Sequence, residues 1–181
     1  ASDVYKRQAS GPLGELFLPV FGEHMAHNAA QAVAAVEALT GPLQPAIIEQ
    51  GLAAVEAPAR LEVVRRSPLV ILDTFHNPHG AASAMAGVRE SFEVEPLIAV
   101  VAAMADKDID GVLAVLSDTV SHLVVTSMPD LSRALSVDEL AEKASSHWDS
   151  DHVTCVADVL EALEEAFRIA DSYGPGAGGL I

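Results

Sequence analysis

An α/β fold, with a mostly parallel sheet covered by helices on both faces, is predicted by three features of the sequence. Short apolar runs alternate with segments of helical period, the runs are apolar at nearly every position, and Gly, Pro or charged residues separate them. Strands buried on both faces have this near-continuous apolar character, and their alternation with helices is typical of parallel sheets. We therefore expect a Rossmann-like domain.

The elements of this predicted domain follow one another from residue 61 onward. Strands are expected at 61–66, 69–74, 97–104, 123–127 and 153–156, with a further strand at Leu180. Helices are expected between them at 78–91, 109–116, 137–147 and 158–170. In parallel sheets, ligands bind beyond the carboxyl ends of the strands, so the polar residues that close these runs are candidates for a site.

Two helices are predicted ahead of the sheet. From His24 to Leu39 apolar residues recur at helical spacing, and Gly41-Pro42 supplies a stop signal. A second helical segment covers about 43–55, after which Pro58 biases the chain toward an extended linker. We place a domain boundary near residue 58.

Composition and charge exclude several classes of function. Ten basic against 26 acidic residues give a formal charge of −16, which repels a nucleic-acid backbone. No apolar stretch approaches the roughly 18 residues that span a bilayer, so no membrane partner is expected. The single cysteine, Cys155, fits a reducing cytoplasm. Because the overall field also opposes small anions, an anion site must gather the few cations locally.

The densest polar group closes a predicted strand and opens a helix. Asp73 and His76 precede Asn77 and Pro78, a favourable N-cap and first helical residue. The free N–H groups of a helix start attract an anion, although these residues can equally serve only to begin the helix. Asp73, His76 and His79 can also be interpreted as ligands of a metal-dependent hydrolase, a weaker hypothesis because no second shell is identifiable.

Two further segments are ambiguous when each is taken alone. His24 and Asn28 lie about one turn apart and share a face of the first predicted helix, where packing is the ordinary role. Arg60, beside the proposed boundary, has the character of a solvated surface arginine. The order in which such segments occur along the chain is more specific than any one of them. They are Gly22-Glu23-His24 with Asn28, Pro58-Ala59-Arg60-Leu61-Glu62, Asp73 with His76-Asn77-Pro78-His79-Gly80, Asp106-Lys107-Asp108, and Ser132-Arg133-Ala134-Leu135.

This ordered set resembles the folylpolyglutamate synthase/dihydrofolate synthase family of the Mur ligase superfamily, from about Leu16 to the end of the chain. The resemblance implies an ATP-dependent acid–amino-acid ligase of folate biosynthesis and one-carbon metabolism, which joins L-glutamate to dihydropteroate or a folate through an acyl phosphate. The implied partners are ATP, L-glutamate and a folate or pteroate, with Mg²⁺ as cofactor, and a monomer is expected.

The resemblance also implies roles for particular residues. Asn28, Arg60 and Asp73 are implied to contact ATP, in keeping with what an amide, a guanidinium and a carboxylate can bind. His76 is implied to face the reacting centre and is the candidate catalytic residue. Lys107 and Arg133 are candidates for binding glutamate or the transient phosphate.

Two positions depart from the family's usual pattern. Phe75 stands where a small residue is usual and can narrow the site. Met25 stands where glutamine is common after His24.

The sequence also suggests a fragment. None of the three lysines follows a glycine, so the chain has no Walker A motif. The resemblance places the phosphate-binding loop and most Mg²⁺ ligands in an upstream central domain. We expect 1–8 to be a non-native or disordered leader, 9–58 the tail of that central domain, and 59–181 the Mur ligase carboxy-terminal domain, truncated at its end. Alone, the chain is expected to bind ATP weakly and to lack ligase activity.

Other functions share the same pattern of elements. A Mur-type ligase for peptidoglycan precursors has the same domain plan, and a non-catalytic α/β domain that binds a small molecule would have the same strands and helices. The substrate residues that would separate the two folate activities are expected outside this chain.

Overall fold

The computed structural model describes residues 16–128, 131–173 and 179–180 of the 181-residue chain. The predicted leader 1–8, the start of the segment 9–58 and the glycine-rich stretch 174–178 lie outside the described residues.

The elements predicted from the sequence are present. The strands are β1 (Glu62–Arg66), β2 (Leu69–Leu72), β3 (Leu97–Val101), β4 (Val120–Val125), β5 (Val153–Cys155) and β6 (Gly179–Leu180). The helices are α1 (Glu23–Thr40), α2 (Pro45–Ala53), α3 (Pro78–Ser91), α4 (Ile109–Ser117), α5 (Val137–Ala144) and α6 (Val159–Ser172). Both β2 and β3 end earlier than predicted, at Leu72 and Val101, which leaves the polar residues after them in loops.

The sheet has the strand order β1-β2-β6-β3-β4-β5. Only β1 is antiparallel to its neighbour, so the predicted mostly parallel sheet is confirmed. The crossovers through α3, α4 and α5 move along the sheet in one direction, and α6 leads back to β6 between β2 and β3. Because such crossovers are right-handed, the returning helix is expected on the opposite face.

Side chains of successive strand residues enter two different cores, as the period of a strand requires. Leu97 and Ala99 of β3 lie in the cluster formed with α3, α4 and α5, whereas Ile98 lies in the cluster formed with α6. In β4, Val124 likewise contributes to the α6 cluster. The prediction of helices on both faces is therefore confirmed.

Helices α1 and α2 pack on each other through a small core of their own, which contains Val33, Ile48 and Leu52. The turn between them is held by Glu37, whose Oε1 accepts the Leu43 N–H at 3.0 Å. The boundary proposed near residue 58 stays a prediction. Among the described helices, none combines the length and the apolar character needed to cross a membrane.

The helices that begin at the carboxyl edge of the sheet are capped by side chains. Asn77 accepts the Gly80 N–H at 2.8 Å at the start of α3, and Asp108 accepts the Gly111 N–H at 3.0 Å at the start of α4. A Cβ on Gly111 would lie 2.6 Å from Cγ of Pro78, so glycine permits close contact of these two helix starts. The two starts therefore lie side by side.

Candidate functional site

Arg60 lies in a turn with an unfavourable backbone. Ala59 and Leu61, on either side of it, have φ angles of 54° and 48°. Such left-handed conformations in residues other than glycine cost on the order of 1 kcal/mol or more each and persist only where surrounding contacts enforce them. The Arg60 side chain is exposed and makes no hydrogen bond or ion pair with the described residues. The turn thus presents a guanidinium that is available to a ligand.

The end of β2 holds this turn. Asp73 accepts the Leu61 N–H through Oδ2 at 2.9 Å and the Phe75 N–H through Oδ1 at 2.8 Å. Next to it, both the N–H and the hydroxyl of Thr74 donate to the Ala59 carbonyl at 3.1 Å. Each Asp73 oxygen has one lone pair engaged, so the carboxylate is fixed in place and retains capacity to accept from a hydroxyl group.

Leu61 anchors the turn to two helices. Its side chain is 1% exposed and belongs to the core between the sheet and α3. A Cβ on Gly87 of α3 would lie 2.5 Å from Cδ1 of Leu61, and a Cβ on Gly22 would lie 3.7 Å from the same atom. Gly22 also has a φ of +88°, which favours glycine. The two glycines therefore let α3 and the start of α1 close around Leu61.

His24, in the first turn of α1, shares this environment. Burial lowers the pKa of His24 below its usual range, and the charges of Arg60 and His79 lower the pKa further, against an opposing contribution from Asp73. His24 therefore lies within electrostatic reach of Arg60 in the turn and of Asp73 and His79 in the segment that follows β2. The neutral imidazole is therefore favoured, and the site has a mixed rather than a purely cationic character.

Two clefts of suitable size for a small ligand flank the Leu61–Gly87 contact. The first has a volume of about 470 Å³ and is lined by Asn28, His24 and His79 together with Ser83 and Gly87. The second has a volume of about 530 Å³ and is lined by Arg60, Leu61 and the linker that precedes them. Asn28 and Arg60, predicted to bind one ligand, thus lie on neighbouring clefts.

His76 is exposed, and its Nδ1 lies 3.5 Å from the Thr74 carbonyl oxygen. A distance of this size gives only a weak restraint on the ring. Phe75 packs partly against the core, so some of its bulk is accommodated away from the loop surface.

The metal-site interpretation of Asp73, His76 and His79 finds no geometric support. The described part of the chain holds no group of three or more His, Cys, Asp or Glu side chains arranged to bind an ion.

A second group contains Lys107, which lies between β3 and α4, and Arg133, which lies between β4 and α5. The Lys107 Nζ and an Arg133 guanidinium nitrogen lie 3.3 and 3.6 Å from the same Oδ2 of Asp106. Backbone hydrogen bonds from Ala105 to Arg133 at 2.8 Å and from Leu135 to Ala103 at 2.9 Å bring the two segments together. The pKa of Asp106 is lowered mainly by its hydrogen bond with Lys107, with a smaller contribution from Arg133.

Some residues of the site were not predicted. Glu62 accepts the Ala59 N–H through Oε2 at 2.8 Å, and Thr74 holds the Ala59 carbonyl. Glu62 belongs to the same sequence segment as Arg60. The sequence therefore indicated that Glu62 lies near the site, but not which contact it makes there. Positive φ angles at an alanine and a leucine have no signature in the sequence.

Comparison with known proteins identifies the family of this chain. The family described as "Mur ligase, glutamate ligase domain" matches residues 59–175. The chain is 36% identical over 166 residues to dihydrofolate synthase/folylpolyglutamate synthase of Mycobacterium tuberculosis, which covers 89% of this chain and 34% of that relative. It therefore spans about a third of the length of this relative.

Two solved structures extend the likeness. The structure of Mycobacterium tuberculosis folylpolyglutamate synthase complexed with ADP and AMPPCP superimposes with a TM-score of 0.89 at 35% identity, covering 94% of this chain and 40% of that one. A bifunctional folylpolyglutamate synthase/dihydrofolate synthase with Mn, AMPPNP and L-glutamate bound gives a TM-score of 0.73 at 31% identity, covering 91% of this chain and 37% of that one.

Proposed function

Because this chain belongs to the Mur ligase family and matches its glutamate ligase domain, we propose that it contributes to an enzyme that joins L-glutamate to dihydropteroate or to a folate. ATP supplies the free energy. The named relatives that combine the folylpolyglutamate and dihydrofolate synthase activities favour a folate substrate over a peptidoglycan precursor.

In the proposed reaction, the carboxylate of the pteroate or folate attacks the γ-phosphorus of ATP, which gives an acyl phosphate and ADP. The amine of L-glutamate then attacks the acyl carbon, loses a proton, and forms the amide as inorganic phosphate leaves. Catalysis of phosphoryl transfer consists mainly of positioning and of electrostatic stabilisation. The residues of this chain are proposed to contribute to both.

The observation that carries the proposal is the exposed guanidinium of Arg60, held in a restrained turn beside Asp73. In a chain with a formal charge of −16, such a cation is needed to offset the repulsion of ATP. Arg60 is proposed to pair with phosphate or stack on the base, and Asn28 to bind the adenine edge from the neighbouring cleft. Asp73 is proposed to accept from ribose hydroxyls through its remaining lone pairs.

His76 and the second group are proposed to serve the acyl-transfer half of the reaction. His76 lies next to the capped start of α3, with its ring weakly restrained, so it can turn toward the reacting centre. Lys107 and Arg133 converge on Asp106 and together offer donors to the carboxylates of glutamate or to phosphate.

Mg²⁺ is the proposed metal, bound through the phosphates of ATP. The described residues provide no carboxylate cluster for it. Mg²⁺ commonly takes one or two carboxylates together with substrate phosphates, so its protein ligands are proposed to lie elsewhere in the enzyme.

The direct test uses the complete enzyme that contains this sequence, supplied with ATP, Mg²⁺, L-glutamate and either dihydropteroate or tetrahydrofolate. We expect ADP release that depends on glutamate, and a product heavier by one glutamyl residue in mass spectrometry. Absence of both with either pterin substrate, from enzyme that is folded, contradicts the proposal. The chain by itself is expected to give no turnover, and robust glutamate-dependent ATP hydrolysis by it would contradict that expectation.

A further inference from the structure

Two carboxylates restrain the backbone on either side of Arg60. Glu62 accepts the N–H of Ala59 at 2.8 Å, and Asp73 accepts the N–H of Leu61 at 2.9 Å. Ala59 and Leu61 are also the only residues other than glycine with positive φ in the part of the chain that the structure describes. Each carboxylate therefore holds one of the two unfavourable conformations that determine how Arg60 is presented.

The two halves of the turn are not equally secured. Leu61 is fixed both by Asp73 and by its own buried side chain, which packs between α3 and the start of α1. Ala59 has only a methyl side chain, and its N–H is held by Glu62 alone. Its carbonyl accepts from Thr74, and a turn hydrogen bond from the Arg60 N–H to the Ala57 carbonyl spans it at 3.2 Å. Glu62 is thus the side chain that restrains Ala59 from its amide side.

Loss of the Glu62 contact would leave the amide side of Ala59 restrained only by the 3.2 Å turn hydrogen bond between Arg60 and Ala57, so Ala59 would also sample ordinary negative φ. A change of φ or ψ at Ala59 redirects the chain that follows, so Arg60 would sample several directions instead of one. A ligand that binds Arg60 would then have to order the turn, and apparent affinity falls when a binding group is no longer preorganised.

We propose that Glu62 is a positioning residue for nucleotide binding, which holds the Ala59 N–H and thereby keeps Arg60 directed toward ATP. The inference rests on the proposed function, in which Arg60 contacts ATP. Glu62 itself touches no substrate in this proposal and acts through the turn.

The test compares Glu62→Ala and Glu62→Gln in the complete enzyme. Glutamine keeps an oxygen that can accept the Ala59 N–H at the same reach, whereas alanine does not. We expect Glu62→Ala to raise the KM for ATP about threefold to tenfold, with kcat and the KM for glutamate little changed. Glu62→Gln should stay close to the unmodified enzyme. Glu93→Ala, which removes an exposed glutamate that has no hydrogen bond to the described residues, is the matched control.

A second readout follows the turn without nucleotide. In this chain, amide hydrogen exchange at Ala59 should be faster in Glu62→Ala than in Glu62→Gln, and exchange within β3 should be unchanged in both. Equal exchange at Ala59 in the two variants overturns the inference. A general rise in exchange that includes β3 shows a role in overall stability and overturns it as well.

Arg60→Ala, measured alongside, separates the two proposals. If Arg60→Ala leaves the KM for ATP unchanged, the role proposed for Arg60 is wrong. If Arg60→Ala raises that KM and Glu62→Ala does not, the role of Arg60 stands and the positioning by Glu62 is wrong.

Discussion

Asp73 accepts the backbone N–H of Leu61 at 2.9 Å, so a carboxylate at the end of β2 holds the residue that follows Arg60. Its other oxygen accepts the N–H of Phe75. Asp73 therefore has a structural task at the site, whatever contact it makes with a nucleotide. Substitutions of Asp73 must be assessed by stability before they are interpreted through activity.

Asp73→Ala is expected to lower the free energy of unfolding by about 1–3 kcal/mol, because two part-buried N–H groups lose their acceptor. Asp73→Asn should cost less, since the amide oxygen can still accept from one of them. Urea unfolding of the chain measures both. Equal stability of Asp73→Ala and the unmodified chain would contradict the role of Asp73 in holding the backbone at Leu61 and Phe75.

Arg60→Ala is expected to raise the KM for ATP of the complete enzyme about tenfold, because charge-assisted hydrogen bonds to phosphate are lost. The KM for ATP of Arg60→Lys should lie between those of the unmodified enzyme and Arg60→Ala, since lysine keeps the charge but not the planar guanidinium. Arg66→Ala removes an exposed arginine from β1 and serves as the control. Equal effects of Arg60→Ala and Arg66→Ala on that KM would assign both to net charge.

Gly87→Ala is expected to destabilise the chain by about 1–3 kcal/mol, because its Cβ would lie 2.5 Å from Cδ1 of the buried Leu61. Gly51→Ala in α2 is the matched helical control, since a Cβ there meets nothing within 4 Å. This change should be neutral or stabilising by up to about 1 kcal/mol. Thermal unfolding distinguishes the two, and similar shifts in both would mean that the contact with Leu61 is easily relieved.

Stability is expected to fall on acidification through His122 in β4. Its Nε2 lies 2.9 Å from the Thr154 hydroxyl, and burial is the main cause that lowers its pKa, with His152 and Arg168 adding to the effect and Glu165 opposing it. The folded state thus favours the neutral ring. The stabilisation is present above the unfolded pKa of about 6.5 and declines as pH falls from there toward the folded pKa.

Urea unfolding between about pH 8 and about pH 5 tests this dependence. His122→Gln should make the stability curve flatter in that range. His24 contributes in the same direction, so part of the slope should remain. His27→Gln, at an exposed position in α1, is the control, and a curve unaltered by His122→Gln would exclude His122 as a source of the slope.

The helices and strands could be predicted from the sequence because the residues that begin and end them are close together in the chain. Asn77 and Pro78 start α3 through a cap and a preset φ, and Gly41 ends α1 by allowing a positive φ of 86°. The insertion of β6 between β2 and β3 has no local signal, since strand order depends on how distant segments pack.

The candidate site was predictable in its residue types but not in its connections. Lys107 and Arg133 were expected to bind glutamate or the transient phosphate. They meet at Asp106 because backbone hydrogen bonds join residues 103–105 to residues 133–135 across a long separation in sequence. The strained turn at Arg60 depends in the same way on Asp73, which lies in the loop after β2, twelve residues beyond Leu61. Neither hydrophobic patterning nor secondary-structure propensity predicts contacts between residues that are distant in sequence.

The two edge strands of the sheet also bear on how the chain behaves at high concentration. An exposed edge is a template on which a second molecule can add a strand and begin to aggregate. At one edge, β1 carries Glu62, Arg65 and Arg66 among mostly exposed positions, with the Arg65 guanidinium 4.8 Å from the centre of the Phe167 ring. At the other, β5 is only three residues long. The charged side chains of β1 and the short length of β5 therefore both disfavour edge-to-edge polymerisation.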